Sequence, residues 1–87
     1  MAQPVQERVR AVLKQNALLQ ADIESLADDA DLYVAGLTSH ATVNLMLALE
    51  EAFDIEFPDS LLRRRTFSSV NAIAQSLGEI GVHKVAA

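Results

Sequence analysis

A serine hydroxyl at the start of a helix is the group in this sequence best placed to do chemistry. Gly36-Leu37-Thr38-Ser39 precedes the strongest helical segment, which puts the Ser39 hydroxyl at a helix N-terminus directly after a glycine-containing loop. Unpaired N–H groups of a first helical turn and the positive end of the helix dipole favour a phosphate there. A phosphodiester at Ser39 would be well accommodated. The plain alternative is that Ser39 only caps the helix, because serine is a preferred N-cap residue.

Three helical segments must position this serine. Apolar residues spaced three and four apart predict a first helix starting near residues 3–5, a second over residues 39–53 and a third over residues 70–80. The segment of residues 54–58 is predicted to end the second helix, because the residue before Pro58 is disfavoured in helical geometry, and Gly81 is predicted to end the third. Ser68 or Ser69 is the predicted N-cap of the third helix. The predicted core face of the second helix consists of Leu45, Met46, Leu49 and Phe53.

The remaining segments complete a predicted all-α fold. Periodicity fades over residues 18–38, which predicts a long ordered loop with a short turn around residues 23–26. Residues 60–63 are predicted to form one short helical turn. The chain is expected to be one domain over residues 1–87, with an ordered core of about 4–80 and a frayed tail of about 82–87. We expect a small antiparallel bundle of three main helices and one short helix.

Composition and charge exclude several classes of function. The 87 residues contain no cysteine, which excludes disulfides and thiolate metal sites. The net charge is −5, and residues 22–59 carry ten acidic residues without a single lysine or arginine, which argues against nucleic acid as a partner. No segment approaches the roughly 20 apolar residues of a membrane span. A cytoplasmic monomer that meets basic partner surfaces is expected.

Three other chemistries are weaker interpretations. Ser39 and His40 do not form a good hydrolase dyad, because adjacent helical residues project about 100° apart. Asp28, Asp29 and Asp31 lack the ligand spacing of a dedicated calcium loop, so no metal site is expected. The arginine run of residues 63–65 could contact a partner or a phosphate, although charge runs are usually solvated.

Two longer runs carry a resemblance to a known family. Residues 31–39, DLYVAGLTS, and residues 45–59, LMLALEEAFDIEFPD, resemble acyl carrier proteins, and the similarity covers nearly the whole chain. The resemblance implies four helices around a small core and a non-catalytic chain. It also implies that a serine at the start of the second helix receives 4′-phosphopantetheine from coenzyme A, whose thiol then holds an acyl group as a thioester. Ser39 matches that serine.

Two departures from the family pattern suggest a subclass. The usual Asp-Ser-Leu is here Thr38-Ser39-His40, and the exposed face of the second helix is less acidic, with Ala41 and Asn44. The variant is similar to stand-alone aminoacyl carrier proteins, which are loaded by amino acid:[carrier protein] ligases related to seryl-tRNA synthetases. Fatty-acid, polyketide and peptidyl carriers remain alternatives. A rival of another class is an unmodified helical module for protein interaction.

The resemblance also implies partners and further site residues. The expected partners are a phosphopantetheinyl transferase, an amino acid:[carrier protein] ligase or other acyl-loading enzyme, and a downstream acyl or aminoacyl transferase. Thr38 and His40 are expected near the phosphate, where the charged form of His40 could assist binding. The predicted docking residues on the exposed side of the second helix are Val43, Leu47 and Glu51.

Overall fold

Three helices and a two-stranded ribbon make up the architecture. The computed structural model describes residues 2–16, 19, 22–81 and 84–86. The elements, in chain order, are β1 (Ala2–Pro4), α1 (Val5–Gln15), a 3₁₀ helix (Ile23–Ser25), α2 (Ser39–Phe53), two further 3₁₀ helices (Asp59–Leu61 and Arg64–Phe67), α3 (Val70–Ile80) and β2 (Lys84–Ala86). The predicted helical bundle is confirmed, as is the turn near residue 23. Among the described residues, no helix combines the length and hydropathy that crossing a membrane requires.

One apolar face of each helix builds the core. Helix α1 packs against both α2 and α3, and its apolar stripe of Val5, Val9, Val12 and Leu13 is buried. Burying an aliphatic side chain of this size contributes about 1.5–3 kcal/mol. The helical side chains with almost no exposure are Val9, Val12, Leu13, Leu45, Leu49, Val70, Ile73 and Leu77. Helix α2 is therefore fixed to the bundle through its middle.

The predicted core face of α2 is correct at its centre and less so at its edges. Leu45 and Leu49 have no exposed surface, whereas Met46 and Phe53 are only partly buried against the same cluster. Leu45 and Leu49 lie one turn apart and point at the middle of the bundle. Met46 is rotated away from that line and lies at the border of the core.

The ends of the helices follow from local hydrogen bonds. The Ser69 hydroxyl accepts a hydrogen bond from the N–H of Ala72 at 3.0 Å, and Gly81 ends α3 with φ of 115°. Both predictions for α3 are thus confirmed. The predicted end of α2 at about residue 53 is confirmed, because Asp54, the first residue of the predicted terminating segment, adopts a left-handed conformation with φ of 53° and stops the helix. Aspartate tolerates this conformation better than most residues.

The long loop before α2 is ordered over residues 22–38, as predicted, whereas residues 18, 20 and 21 of the predicted loop lie outside the described residues. Its backbone is bonded to the segment leading into α3: the N–H of Leu32 donates to the carbonyl of Ser68 at 2.8 Å, and the N–H of Asn71 donates to the carbonyl of Asp28 at 2.9 Å. Leu32 is also fully buried. The loop is therefore part of the folded core and supports the residues that follow it.

The remaining segments differ from prediction in their bounds. The short helical turn predicted over residues 60–63 is present as the 3₁₀ helix Asp59–Leu61, and a second 3₁₀ helix follows at Arg64–Phe67 after Arg63, which is extended with φ of −133° and ψ of 158°. Residues 84–86 of the predicted frayed tail form β2, which pairs antiparallel with β1 in the register Ala2↔Ala86. The ladder supplies backbone partners that no local pattern reveals. The rest of the predicted tail, residues 82, 83 and 87, lies outside the described residues.

Candidate functional site

Ser39 is exposed and is not the residue that caps α2. Thr38 is the N-cap: its backbone is extended, and its hydroxyl accepts a hydrogen bond from the N–H of Ala41 at 3.0 Å. The carbonyl of Thr38 accepts from the N–H of Thr42 at 2.9 Å. The interpretation of Ser39 as merely a capping serine is therefore wrong, because Thr38 does that work. The Ser39 side chain is left facing solvent in the first helical turn.

Within residues 22–81, the first turn of α2 retains two backbone donors without an acceptor. A helix leaves its first N–H groups without partners from its own carbonyls. Thr38 satisfies the donor of Ala41, so the N–H groups of Ser39 and His40 remain beside the serine hydroxyl. Together with the positive end of the helix dipole, they form a site that favours an anion. The arrangement fits a phosphodiester on Ser39.

A glycine turn fixes the direction from which the chain enters α2. Gly36 has φ of 116°, a conformation that disfavours any side chain. The turn closes when the N–H of Leu37 donates to the carbonyl of Leu32 at 2.9 Å. Leu37 is buried in the core two residues before Ser39. The serine is therefore held between two anchors, Leu37 in the loop and Leu45 in the helix.

A tyrosine and an arginine tie this loop to the segment before α3. The Arg64 guanidinium lies over the Tyr33 ring, 3.9 Å from its centroid. The Tyr33 hydroxyl donates a hydrogen bond to the carbonyl of Arg64 at 2.7 Å. The Asp31 carboxylate in turn accepts from the N–H of Tyr33 at 2.9 Å. Sequence reasoning missed this contact, because the two residues are 31 positions apart and neither belongs to a periodic pattern.

The structure bears directly on the two alternative chemistries. His40 is exposed next to Ser39 on the helix, and within residues 22–81 no hydrogen bond joins the two side chains. Asp28 pairs with Arg10, and Asp31 is used by the backbone of its own loop. Among the described residues, no cluster of histidine or acidic side chains could hold a metal ion. Asp28 and Asp31 therefore have structural partners.

The predicted docking residues all lie on the exposed side of α2. Val43 and Leu47 are 54% and 53% exposed, and Glu51 is exposed as well. Their spacing of four aligns them along the helix. They border two different grooves: Val43 lines one with Leu62 and Arg64, whereas Leu47 and Glu51 line another with Asn16 and Asn44.

Thr38 allows a direct test of this capping geometry. Thr38→Ala is expected to lower the free energy of unfolding by about 1 kcal/mol, because the N–H of Ala41 loses its acceptor. Thr38→Asp retains an acceptor and adds a negative charge near the helix N-terminus, so it should be at least as stable as the wild type. Chemical denaturation measures both. Equal stability of Thr38→Ala and the wild type would contradict the assigned cap.

A small helical bundle that exposes a serine beside helix N–H groups is the arrangement that a carrier-type protein requires. The family model for the phosphopantetheine attachment site matches residues 5–77. The chain is 51% identical over 69 residues to an aminoacyl carrier protein of Agrobacterium fabrum, covering 79% of this chain and 83% of the relative. It therefore belongs to the phosphopantetheine attachment site family. It is a non-catalytic carrier, and its cofactor is 4′-phosphopantetheine.

Solved structures of carrier proteins share this fold. A carrier protein from Agrobacterium tumefaciens, complexed with an engineered Bradyrhizobium japonicum glycine:[carrier protein] ligase and ATP, has a TM-score of 0.82 and 47% identity, covering 86% of this chain and 97% of that one. The glycylated carrier protein in a complex with the B. japonicum ligase has a TM-score of 0.63 and 38% identity, covering 83% of this chain and 92% of that one.

Proposed function

We propose that Ser39 carries 4′-phosphopantetheine and that the chain holds an aminoacyl group on its thiol as a thioester. The observation that carries the proposal is the exposed Ser39 hydroxyl, free of capping duty, beside the N–H groups of Ser39 and His40. Thr38 holds the turn in place, and His40, the next residue along the helix, is the proposed neighbour of the phosphate. When bound, the cofactor supplies the thiol, and the protein supplies position.

The aminoacyl cargo is supported by the relatives and by the local sequence. The similar proteins include aminoacyl carriers, and one solved relative is glycylated. The Thr38-Ser39-His40 variant of the attachment motif agrees with that subclass. A small amino acid such as glycine is the proposed cargo, loaded by an amino acid:[carrier protein] ligase that consumes ATP. Fatty-acid, polyketide and peptidyl groups are the competing cargoes.

The exposed side of α2 is the proposed docking surface for these enzymes. Val43, Leu47 and Glu51 follow Ser39 along one face of the helix, so a partner that contacts them has the attachment point within reach. Covalent attachment raises the effective concentration of the cargo at each partner, so a weak contact is sufficient. We place this single carrier domain in the cytoplasm, as a monomer that serves in turn a phosphopantetheinyl transferase, the ligase and a downstream transferase.

Intact-protein mass spectrometry tests the attachment point. The apo protein, incubated with coenzyme A, magnesium and a broad-specificity phosphopantetheinyl transferase, should gain the mass of one arm. Ser39→Ala should gain nothing, since the accepting oxygen is gone. Ser60→Ala removes another exposed serine and should be modified like the wild type. Modification of Ser39→Ala, or no modification of the wild type, would refute the proposal and favour an unmodified interaction module.

The cargo needs a second assay on the holo protein. Holo protein should form a hydroxylamine-sensitive glycyl or alanyl adduct with an amino acid:[carrier protein] ligase and ATP. A fatty-acyl synthetase should load it poorly. The opposite preference would leave the attachment site intact and overturn the aminoacyl assignment.

A further inference from the structure

An apolar groove with an arginine rim lies beside the first half of α2. Val43 and Met46 form one wall, Leu62 the other, and Phe67 lies beneath them. Arg63 and Arg64 form the rim; we call this feature the arginine-rimmed groove. Val43 and Leu62 are 54% and 45% exposed, so two large aliphatic side chains face water across one concavity. Adjacent exposed apolar residues of this kind mark contact surfaces.

The groove is close to the proposed attachment point. Val43 lies one helical turn beyond Ser39, about 6 Å along the helix axis at 1.5 Å per residue. On the other side, Arg64 is stacked on Tyr33, in the loop that leads to Ser39. A protein seated in this groove would therefore have the pantetheine arm at its edge. We expect a protein that receives the arm to bind the carrier within about one helical turn of Ser39, as this groove allows.

The positive charge of the rim indicates which kind of partner surface the groove can bind. Arg63 and Arg64 are exposed, and within residues 22–81 neither forms an ion pair with a carboxylate. Arg63 uses its Nε to donate to the carbonyl of Ser60, which leaves its terminal nitrogens for another molecule. Arg64 uses the face of its guanidinium on Tyr33, which leaves the N–H edge. Guanidinium edges are suited to pair with carboxylates.

We infer that the arginine-rimmed groove receives, from the loading ligase, an apolar side chain flanked by carboxylates. The inference rests on the proposed aminoacyl function and names its partner surface. The ligase takes up the amino acid free, and every holo carrier presents the same arm, so discrimination between carriers has to fall on the protein surface near the arm. The positive rim stands out on a chain of net charge −5 and selects against partners that present basic surfaces.

Steady-state loading of the holo protein tests this inference. The probe is the engineered glycine:[carrier protein] ligase named above, with glycine and ATP. Arg64→Glu should raise KM for the carrier about fivefold or more at low ionic strength, with kcat little changed, because rim charges act on association. Arg65→Glu makes the same charge change on a residue that lines a different groove, with Thr66 and Ser76, and should leave KM unchanged.

Further variants separate charge from fold and test the apolar walls. Arg64→Lys retains the charge and should keep KM near the wild-type value, and thermal melting shows whether Arg64→Glu remains folded. Leu62→Ser should raise KM, whereas Val34→Ser, at a position 85% exposed outside the groove, should not. Added salt should raise KM for the wild type and have less effect on Arg64→Glu.

Each other outcome overturns the inference. A lower KM for Arg64→Glu would mean a basic partner surface, and equal effects of Arg64→Glu and Arg65→Glu would mean that only net charge matters. Unchanged KM with a shorter thioester lifetime in Leu62→Ser would place the protein's own arm in the groove. Self-association abolished by Arg64→Glu would place a second copy there. If the wild type gains the arm but is not loaded, the aminoacyl cargo and this partner fail together, while Ser39 attachment stands.

Discussion

Leu49→Ala is expected to lower the free energy of unfolding by about 2–5 kcal/mol, a large share of the stability of so small a domain. Leu49 has no exposed surface, and its side chain extends from α2 into the core. The substitution removes buried methyl groups and leaves a cavity that a rigid bundle cannot fully close. Urea denaturation measures the loss when it is followed by far-ultraviolet circular dichroism, which reports on all the helices at once.

Leu47→Ala is the matched control for that prediction. It makes the same chemical change two residues away on the same helix, at a position 53% exposed. The expected change in the free energy of unfolding is within about 0.5 kcal/mol, as is usual for surface substitutions. Similar losses in the two variants would mean that the face of α2 assigned to the core is wrong.

The periodic parts of the fold could be predicted from sequence because their cause is local. The apolar stripes of α1, α2 and α3 repeat with the helical period, and the Ser69 cap and Gly81 stop act within one turn. The end of α2 could also be placed at about residue 53, but the residue that makes the stop could not be singled out within the predicted terminating segment. A left-handed Asp54 ends the helix four residues before Pro58, and the N–H of Ile55 bonds back to the carbonyl of Glu50.

The parts that sequence reasoning missed depend on contacts between distant residues. The ribbon joins residues 2–4 to residues 84–86, and the Tyr33–Arg64 stack joins positions 31 apart. No spacing rule connects such partners. The candidate site shows the same division: Ser39 follows from a local motif, whereas the arginine-rimmed groove exists only because Leu62 and Arg64 pack beside α2.

Gly36→Ala is expected to reduce both stability and the rate of arm attachment. With φ of 116°, Gly36 occupies a conformation that a residue with a Cβ adopts only under strain, at a cost of about 1–3 kcal/mol. The turn can relieve that strain only by moving Leu37 or the start of α2, and Ser39 would move with them. Attachment should slow, because the transferase must align the serine oxygen closely with its phosphate donor.

Gly81→Ala is the control that separates the loss of stability from the slower attachment of the arm. Gly81 has almost the same φ, 115°, and a Cβ there would meet no atom within 4 Å, so its strain is also conformational. Gly81 ends α3, and its N–H donates to the carbonyls of Leu77 and Gly78, so its strain acts on the end of that helix and not on the turn before α2. Both variants should lose stability, but only Gly36→Ala should be modified more slowly in a timed mass-spectrometric assay with coenzyme A. Equal attachment rates for Gly36→Ala and Gly81→Ala would show that the turn at Gly36 does not position Ser39. The same strain at a position outside that turn would then have the same effect on the rate.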